Sequence, residues 1–201
     1  MIGHCRYFIH VVRRRVYLVV AGTHPEYPYE NVVFQGGGAK GIIYAGVALA
    51  LNELGVLPYV KRVAAASAGC APALFLSLGL DGAQIRAETD RLDMPAFFDG
   101  DRRVPFCCKR LAMVHNLFAK LGIHPADEAI EYFGRVLDKY AGNADLTFLQ
   151  LYQQTGRELC IAVSNVSRGQ AEYCHVNTTP GLPIRRAIRA SMSLPFLWQV
   201  E

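Results

Sequence analysis

Two hydrophobic periods alternate along this chain. Asn31 to Gln35 is a short apolar run rich in β-branched and aromatic side chains, and it predicts a buried strand. Gly36-Gly37-Gly38 stops it. From Lys40 to Leu54 the apolar residues Ile43, Val47, Leu51 and Leu54 recur at helical spacing, and Gly55 closes the helix. Val60 to Ala66 predicts a second strand, broken by Ser67-Ala68-Gly69. An apolar helix follows, from about Ala68 to Leu78.

Further along, Asp81-Gly82 opens a helix over about Ala83 to Leu92. Residues 94–122 mix aromatics with arginines; they fit a helical subdomain better than a lid or interfacial surface. Pro125 to Tyr140 predicts an amphipathic helix, with Ile130, Phe133 and Leu137 on one face. Thr147 to Gln154 predicts a shorter helix with Thr147 as its cap. Glu158 to Asn165 reads as a strand, Gly169 as a turn, and Ala171 to Val176 as a returning strand. Pro183 to Met192 is helical, and SLPFLWQVE runs extended. Residues 1–30 read as an N-terminal extension and linker, either a strand pair or a tethering segment.

Composition narrows the class. With 201 residues, 52% hydrophobic and 19% charged, the chain suits one globular α/β domain. A net charge of +4 is too mild to point to nucleic acid. Arginines cluster at 13–15, 102–103 and 185–186; they read as solvated faces, with anionic lipid headgroups as the other reading. The six cysteines carry no metal-type spacing, and no secretory signal is apparent, so reduced thiols in an intracellular protein are expected. No apolar run is long enough for a membrane span. Neither a metal nor a cofactor is implied.

The candidate chemistry sits between residues 36 and 69. Gly36, Gly37, Gly38, Ala39, Lys40 and Gly41 satisfy GxGxxG, but a dinucleotide site wants an acid at the end of the second strand, and that strand ends at Ala66-Ser67. Backbone N–H groups of such a loop can instead converge on an oxyanion. Ser67 lies in Ala65-Ala66-Ser67-Ala68-Gly69, a GxSxG nucleophile elbow whose first glycine is alanine. A plain helix N-cap serine is the alternative. Of the six histidines, His175 is best placed by chain order to serve as a base, yet none has a distinguishing context; neither do Asp81, Asp93, Asp99 or Asp101.

These residues resemble the patatin-like phospholipase family over roughly Asn31 to Trp198. VVFQGGGAKGIIYAGVALALNELGVLP resembles its strand, oxyanion loop and first helix, and RVAAASAGCAPAL its nucleophile elbow. DLTFLQLYQQTGRELCIAVSNVSRGQAEYCH resembles the following helix and strand pair. RRAIRASMSLPFLW resembles the helix and turn that lead to the catalytic aspartate. The resemblance implies a three-layer α/β/α fold with a central mostly parallel sheet, and a Ser–Asp dyad without histidine. It implies Ser67 as nucleophile, Gly37 and Gly38 N–H groups as oxyanion donors, and Lys40 as the loop's basic residue. The substrate would be a lipid or phospholipid ester, met in the cytoplasm or at a peripheral membrane surface.

Two departures from the family pattern matter. Ala65 adds a methyl group at the elbow, and no Asp-Gly-Gly or Asp-Gly-Ala follows Leu197. Asp81-Gly82-Ala83 has the letters but comes far too early. The expectation is therefore a C-terminally incomplete patatin-like domain over residues 31–201, with the dyad aspartate beyond Glu201. It would act as a lipid acyl hydrolase. The alternatives are an inactive module that binds lipid or a protein partner, and a Ser–His hydrolase using His175.

Overall fold

A computed structural model describes residues 6–12, 15–21, 30–92, 122–124, 127–193 and 196–198. Strands β1 (Arg6–Val12) and β2 (Arg15–Ala21) pair antiparallel, so the strand-pair reading of the N-terminal segment is the observed one. Then come β3 (Asn31–Phe34), a 3-10 turn over Gly38–Ile43, α1 (Tyr44–Glu53) and β4 (Arg62–Ala65). A second 3-10 turn, Ser67–Gly69, leads into α2 (Cys70–Ser77), followed by α3 (Gly82–Asp90). The remainder is β5 (Gly122–His124), α4 (Asp127–Ala141), α5 (Phe148–Thr155), β6 (Glu158–Asn165), β7 (Gln170–Cys174), α6 (Ile184–Met192) and β8 (Phe196–Trp198).

The central sheet has the order β3-β4-β6-β7. Its first three strands are parallel and β7 runs antiparallel. Phe34, Ala65 and Ile161 stand in one row, and Val32, Val63 and Leu159 in the next. Side chains alternate across a strand, so these rows share one face. That face carries the core, with α2 against β3, β4 and β6. Every residue of α2 is buried, as a helix that is apolar all round requires. On the opposite face Val33, Ala64 and Cys160 also form a row, and Val33 is 75% exposed.

Local signals set most boundaries. Asp81 and Thr147 each close a capping box with a glutamine three residues on, starting α3 and α5. Gly156 ends α5 at φ 68°, a conformation glycine adopts without a Cβ penalty. One expected face differs. In α1 the buried residues are Ala45 and Ala48; of the expected positions Leu51 and Leu54 pack against the core, whereas Val47 is 41% exposed and Ile43, in the 3-10 turn before the helix, 59%. The cause is α3: a Cβ on Gly82 would stand 2.8 Å from Asn52 Cβ and 2.9 Å from the Ala48 carbonyl oxygen. At that approach only small side chains fit between the helices.

The predicted subdomain over residues 94–122 lies almost entirely outside the described residues; only Gly122, at the start of β5, is described, and β5 pairs parallel with β8.

Candidate active site

The elbow is built by β4 and α2. Ala66 is extended, and its N–H donates to the Phe34 carbonyl at 3.2 Å. Ser67 then takes φ 51°, the one positive φ among the described non-glycine residues. A left-handed non-glycine backbone costs about 1–3 kcal/mol and persists only where the surroundings enforce it. Here the enforcement is visible. The Ser67 N–H donates to Ser191 Oγ at 2.9 Å, and Ser191 Oγ–H donates to the Ala162 carbonyl at 2.6 Å. The end of α6 thus ties the elbow to β6. Ser67 Oγ makes no hydrogen bond to a described residue.

The glycine loop lies directly on this elbow. A Cβ on Gly36 would sit 3.1 Å from Ser67 Cβ, and one on Gly41 3.1 Å from Ala68 Cβ. A Cβ on Gly69 would meet the backbone of β3, 2.8 Å from the Phe34 carbonyl carbon. Between these contacts, Gly38 turns the chain at φ 55°, and the Lys40 N–H donates to the Gly37 carbonyl at 3.2 Å. Tyr44 anchors the loop from behind: its hydroxyl donates to the Gln35 carbonyl at 2.6 Å and its ring meets Phe34 edge-on. Ala39 and Lys40 are exposed. The loop and Ser67 therefore share one small region at the ends of β3 and β4, with Ala68 and Gly69 beneath them.

Ala65 is buried within the core cluster, so its methyl group packs inward. Next to the elbow, burial pushes the Cys70 thiol up to about 12, against the opposing hydrogen bond with Ser191. Cys70 is therefore an inert packing residue at neutral pH.

His175 belongs elsewhere. It follows Cys174, which pairs with Ile161, placing it two strands from β4, and its Nδ1 accepts the Asn177 N–H at 3.3 Å. Asp81 is spent as the cap of α3. Arg185 is held by Asp145 in a two-pronged ion pair, a packing role for one member of the arginine clusters. Asp93, Asp99, Asp101, His4, His24 and His115 lie outside the described residues.

Two features escaped sequence reading. Ser191 is one, because its partner lies 124 residues away. The other is a cavity of about 270 Å³ beside the glycine loop and Ala68, with Ile42, Ala71, Leu92, Phe133 and Met192 in its walls. Thr89 also lines it, but the Thr89 hydroxyl donates to the Ile85 carbonyl at 2.8 Å, leaving the cavity apolar. Behind this wall Glu88 is buried and joins α3 to α4, accepting from Lys139 Nζ at 2.6 Å and Tyr140 OH at 2.7 Å; Arg91 lies at 2.6 Å. Burial raises the pKa of the Glu88 carboxyl, but these donors and charges together outweigh it and hold the group below the usual carboxylate range.

No helix among the described residues is long and apolar enough to cross a membrane. The chain is 27% identical to the uncharacterized protein YqhO of Bacillus subtilis (strain 168), over 85% of this chain and 57% of that protein. Among solved structures it is similar to VipD from Legionella pneumophila, with 19% identity and a TM-score of 0.58, covering 98% of this chain and 47% of VipD. It is also similar to ExoU in the SpcU–ExoU complex from the type III secretion system of Pseudomonas aeruginosa, with 20% identity and a TM-score of 0.59, covering 96% of this chain and 45% of that one. The chain thus spans little more than half the length of YqhO and less than half of the other two. The likeness to the solved structures shows the fold, three-layer α/β/α around a mostly parallel sheet; the described helices pack on the core-bearing face. The Patatin-like phospholipase family matches residues 32–201, from the strand before the glycine loop through the elbow and α6, and the chain belongs to that family.

Proposed function

We propose that this chain is the nucleophile-bearing part of a lipid acyl hydrolase, with Ser67 attacking the carbonyl carbon of a lipid or phospholipid ester. The observation that carries this reading is the strained backbone of Ser67 directly under the glycine loop. In the first step Ser67 Oγ bonds to the ester carbonyl carbon and its proton passes to a carboxylate base. The carbonyl oxygen becomes an oxyanion held by the Gly37 and Gly38 N–H groups, with Lys40 beside the loop. The Gly37 N–H makes no hydrogen bond to a described residue, and Gly38 opens a 3-10 turn whose first N–H groups lack intrahelical partners. The tetrahedral adduct expels the alcohol, which takes the proton back, and water then cleaves the acyl-enzyme by the reverse sequence of proton transfers. Removing one oxyanion donor costs such reactions about 3–4 kcal/mol.

The Ser67 N–H is already given to Ser191, so it serves the elbow rather than the oxyanion. Ile42 and Ile43, 65% and 59% exposed beside the loop, suit approach to a lipid surface. The base is a residue outside the described set, in line with the family's aspartate. A second reading, a lipid-binding module without catalysis, is favoured by one observation: Ser67 Oγ has no acid–base partner among the described residues.

Fluorophosphonate labelling of the chain beside Ser67→Ala separates the two. Labelling that disappears in Ser67→Ala supports the hydrolase. Labelling that persists in Ser67→Ala overturns Ser67 as nucleophile. An unlabelled chain that still binds lipid vesicles supports the second reading.

A further inference from the structure

We infer that the apolar cavity beside the elbow is an acyl-chain pocket that admits a straight chain of at most about ten carbons. The inference rests on the hydrolase reading for which atom the chain is attached to, but not for the existence of the pocket.

The cavity begins where the reaction would occur. Ala68, the residue after Ser67, lines it, and so does the glycine loop. From there its wall passes along Ile42 and Ala71 to Leu92 of the α3 terminus, Phe133 of α4 and Met192 of α6. Ala71 and Phe133 are buried, at 7% and 1% exposure. Among the described residues the wall carries no charged side chain, and the one hydroxyl there, on Thr89, is satisfied by its own helix. Past the N–H groups of the glycine loop, the described walls offer nothing with which to recognise a headgroup, a sugar or a phosphate. The space between them can take only an apolar ligand, and beside an ester-cleaving serine that ligand is the acyl chain.

Its size sets the limit. A dry apolar cavity of about 150 Å³ holds the six carbons of benzene. By proportion, about 270 Å³ holds roughly ten or eleven. Phe133 is the largest side chain among the described residues of the wall, so it is the one of them whose removal extends the pocket most. Ala71 is the complementary position: a longer side chain there, projecting from α2, fills the space.

The test is a series of alkyl fluorophosphonates from butyl to hexadecyl, compared by labelling rate. The rate should rise about fourfold per methylene, the effect of transferring one methylene from water, and break near ten carbons. Phe133→Ala should move the break upward by four carbons or more. Ala71→Leu should move it downward, and it keeps the test decisive if Phe133→Ala does not fold. A rate with no break between four and sixteen carbons, or a break that no folded variant moves, overturns the pocket while leaving Ser67 reactive. If the chain is not labelled at all, the hydrolase reading fails, and calorimetry on Ser67→Ala with sodium octanoate, decanoate and hexadecanoate decides the pocket alone. Binding of the two shorter chains with rejection of the longest supports it; binding of none overturns it.

Discussion

Replacing Ser191 by alanine removes one oxygen atom and almost no volume. It strands two backbone groups: the Ser67 N–H, which donates to Ser191 Oγ at 2.9 Å, and the Ala162 carbonyl, which accepts at 2.6 Å. Each lost hydrogen bond is worth about 1 kcal/mol, and a buried donor left without a partner about 1–3 kcal/mol. Both groups are only partly buried, so water recovers some of this, and a loss of about 2 kcal/mol is expected. For a chain of this length that corresponds to a fall of about 4–8 °C in Tm. The elbow should feel the change more sharply than the fold. Ser67 holds a backbone conformation that costs about 1–3 kcal/mol, and its N–H is tied down by this one bond. If the elbow relaxes by only 1–2 kcal/mol, the productive population falls about fivefold to thirtyfold. The assay is the fluorophosphonate labelling rate, with hydrogen exchange at the Ser67 amide as a direct readout of the bond. Ser191→Thr keeps the oxygen and should recover most of the rate. Unchanged labelling and unchanged exchange in a folded Ser191→Ala would refute the argument.

Ser67→Gly should raise stability by about 1 kcal/mol in urea unfolding, since glycine adopts φ 51° freely, while abolishing labelling; a loss of stability would contradict the strain argument. Gly69→Ala should cost more than about 3 kcal/mol in the same assay, because the new methyl group meets the backbone of Phe34. The Glu88 carboxyl is held below its unfolded pKa of about 4.3, so its contribution is complete above that value and is lost as pH falls through the folded pKa. Glu88→Gln should therefore cost about 2 kcal/mol at pH 7 and flatten that part of the acid unfolding curve. Cys70, pushed to about 12 and fully buried, should resist iodoacetamide at pH 8 until urea unfolds the chain.

What could be read beforehand was whatever a short stretch of chain decides. Thr147 announces α5 because its cap is closed by Gln150, three residues away. The strand Glu158–Asn165 and the small residues around Ser67 are equally local signals. The inward face of α1 was not legible, because Gly82 of another helix decides which side chains fit. Nothing near Ser191 in the chain marks it; its meaning depends on Ser67 and Ala162, far off in the sequence. The cavity is assembled from α2, α3, α4, α6 and the glycine loop, and no single segment records it.

The contact between the glycine loop and the elbow also bears on how such a chain can change over generations. Gly36 faces Ser67, Gly41 faces Ala68 and Gly69 faces Phe34, each with less than a methyl group of clearance. Mutations there disturb the backbone of the loop and the elbow itself, so these three positions are closed to gradual tuning. The far wall, formed by Phe133 of α4, Met192 of α6 and Leu92 just past the end of α3, carries none of those contacts. Under the proposed hydrolase reading, variation in substrate preference would be channelled to that wall, and descendants of this chain would differ first in the length of chain they accept and last in how they cut it.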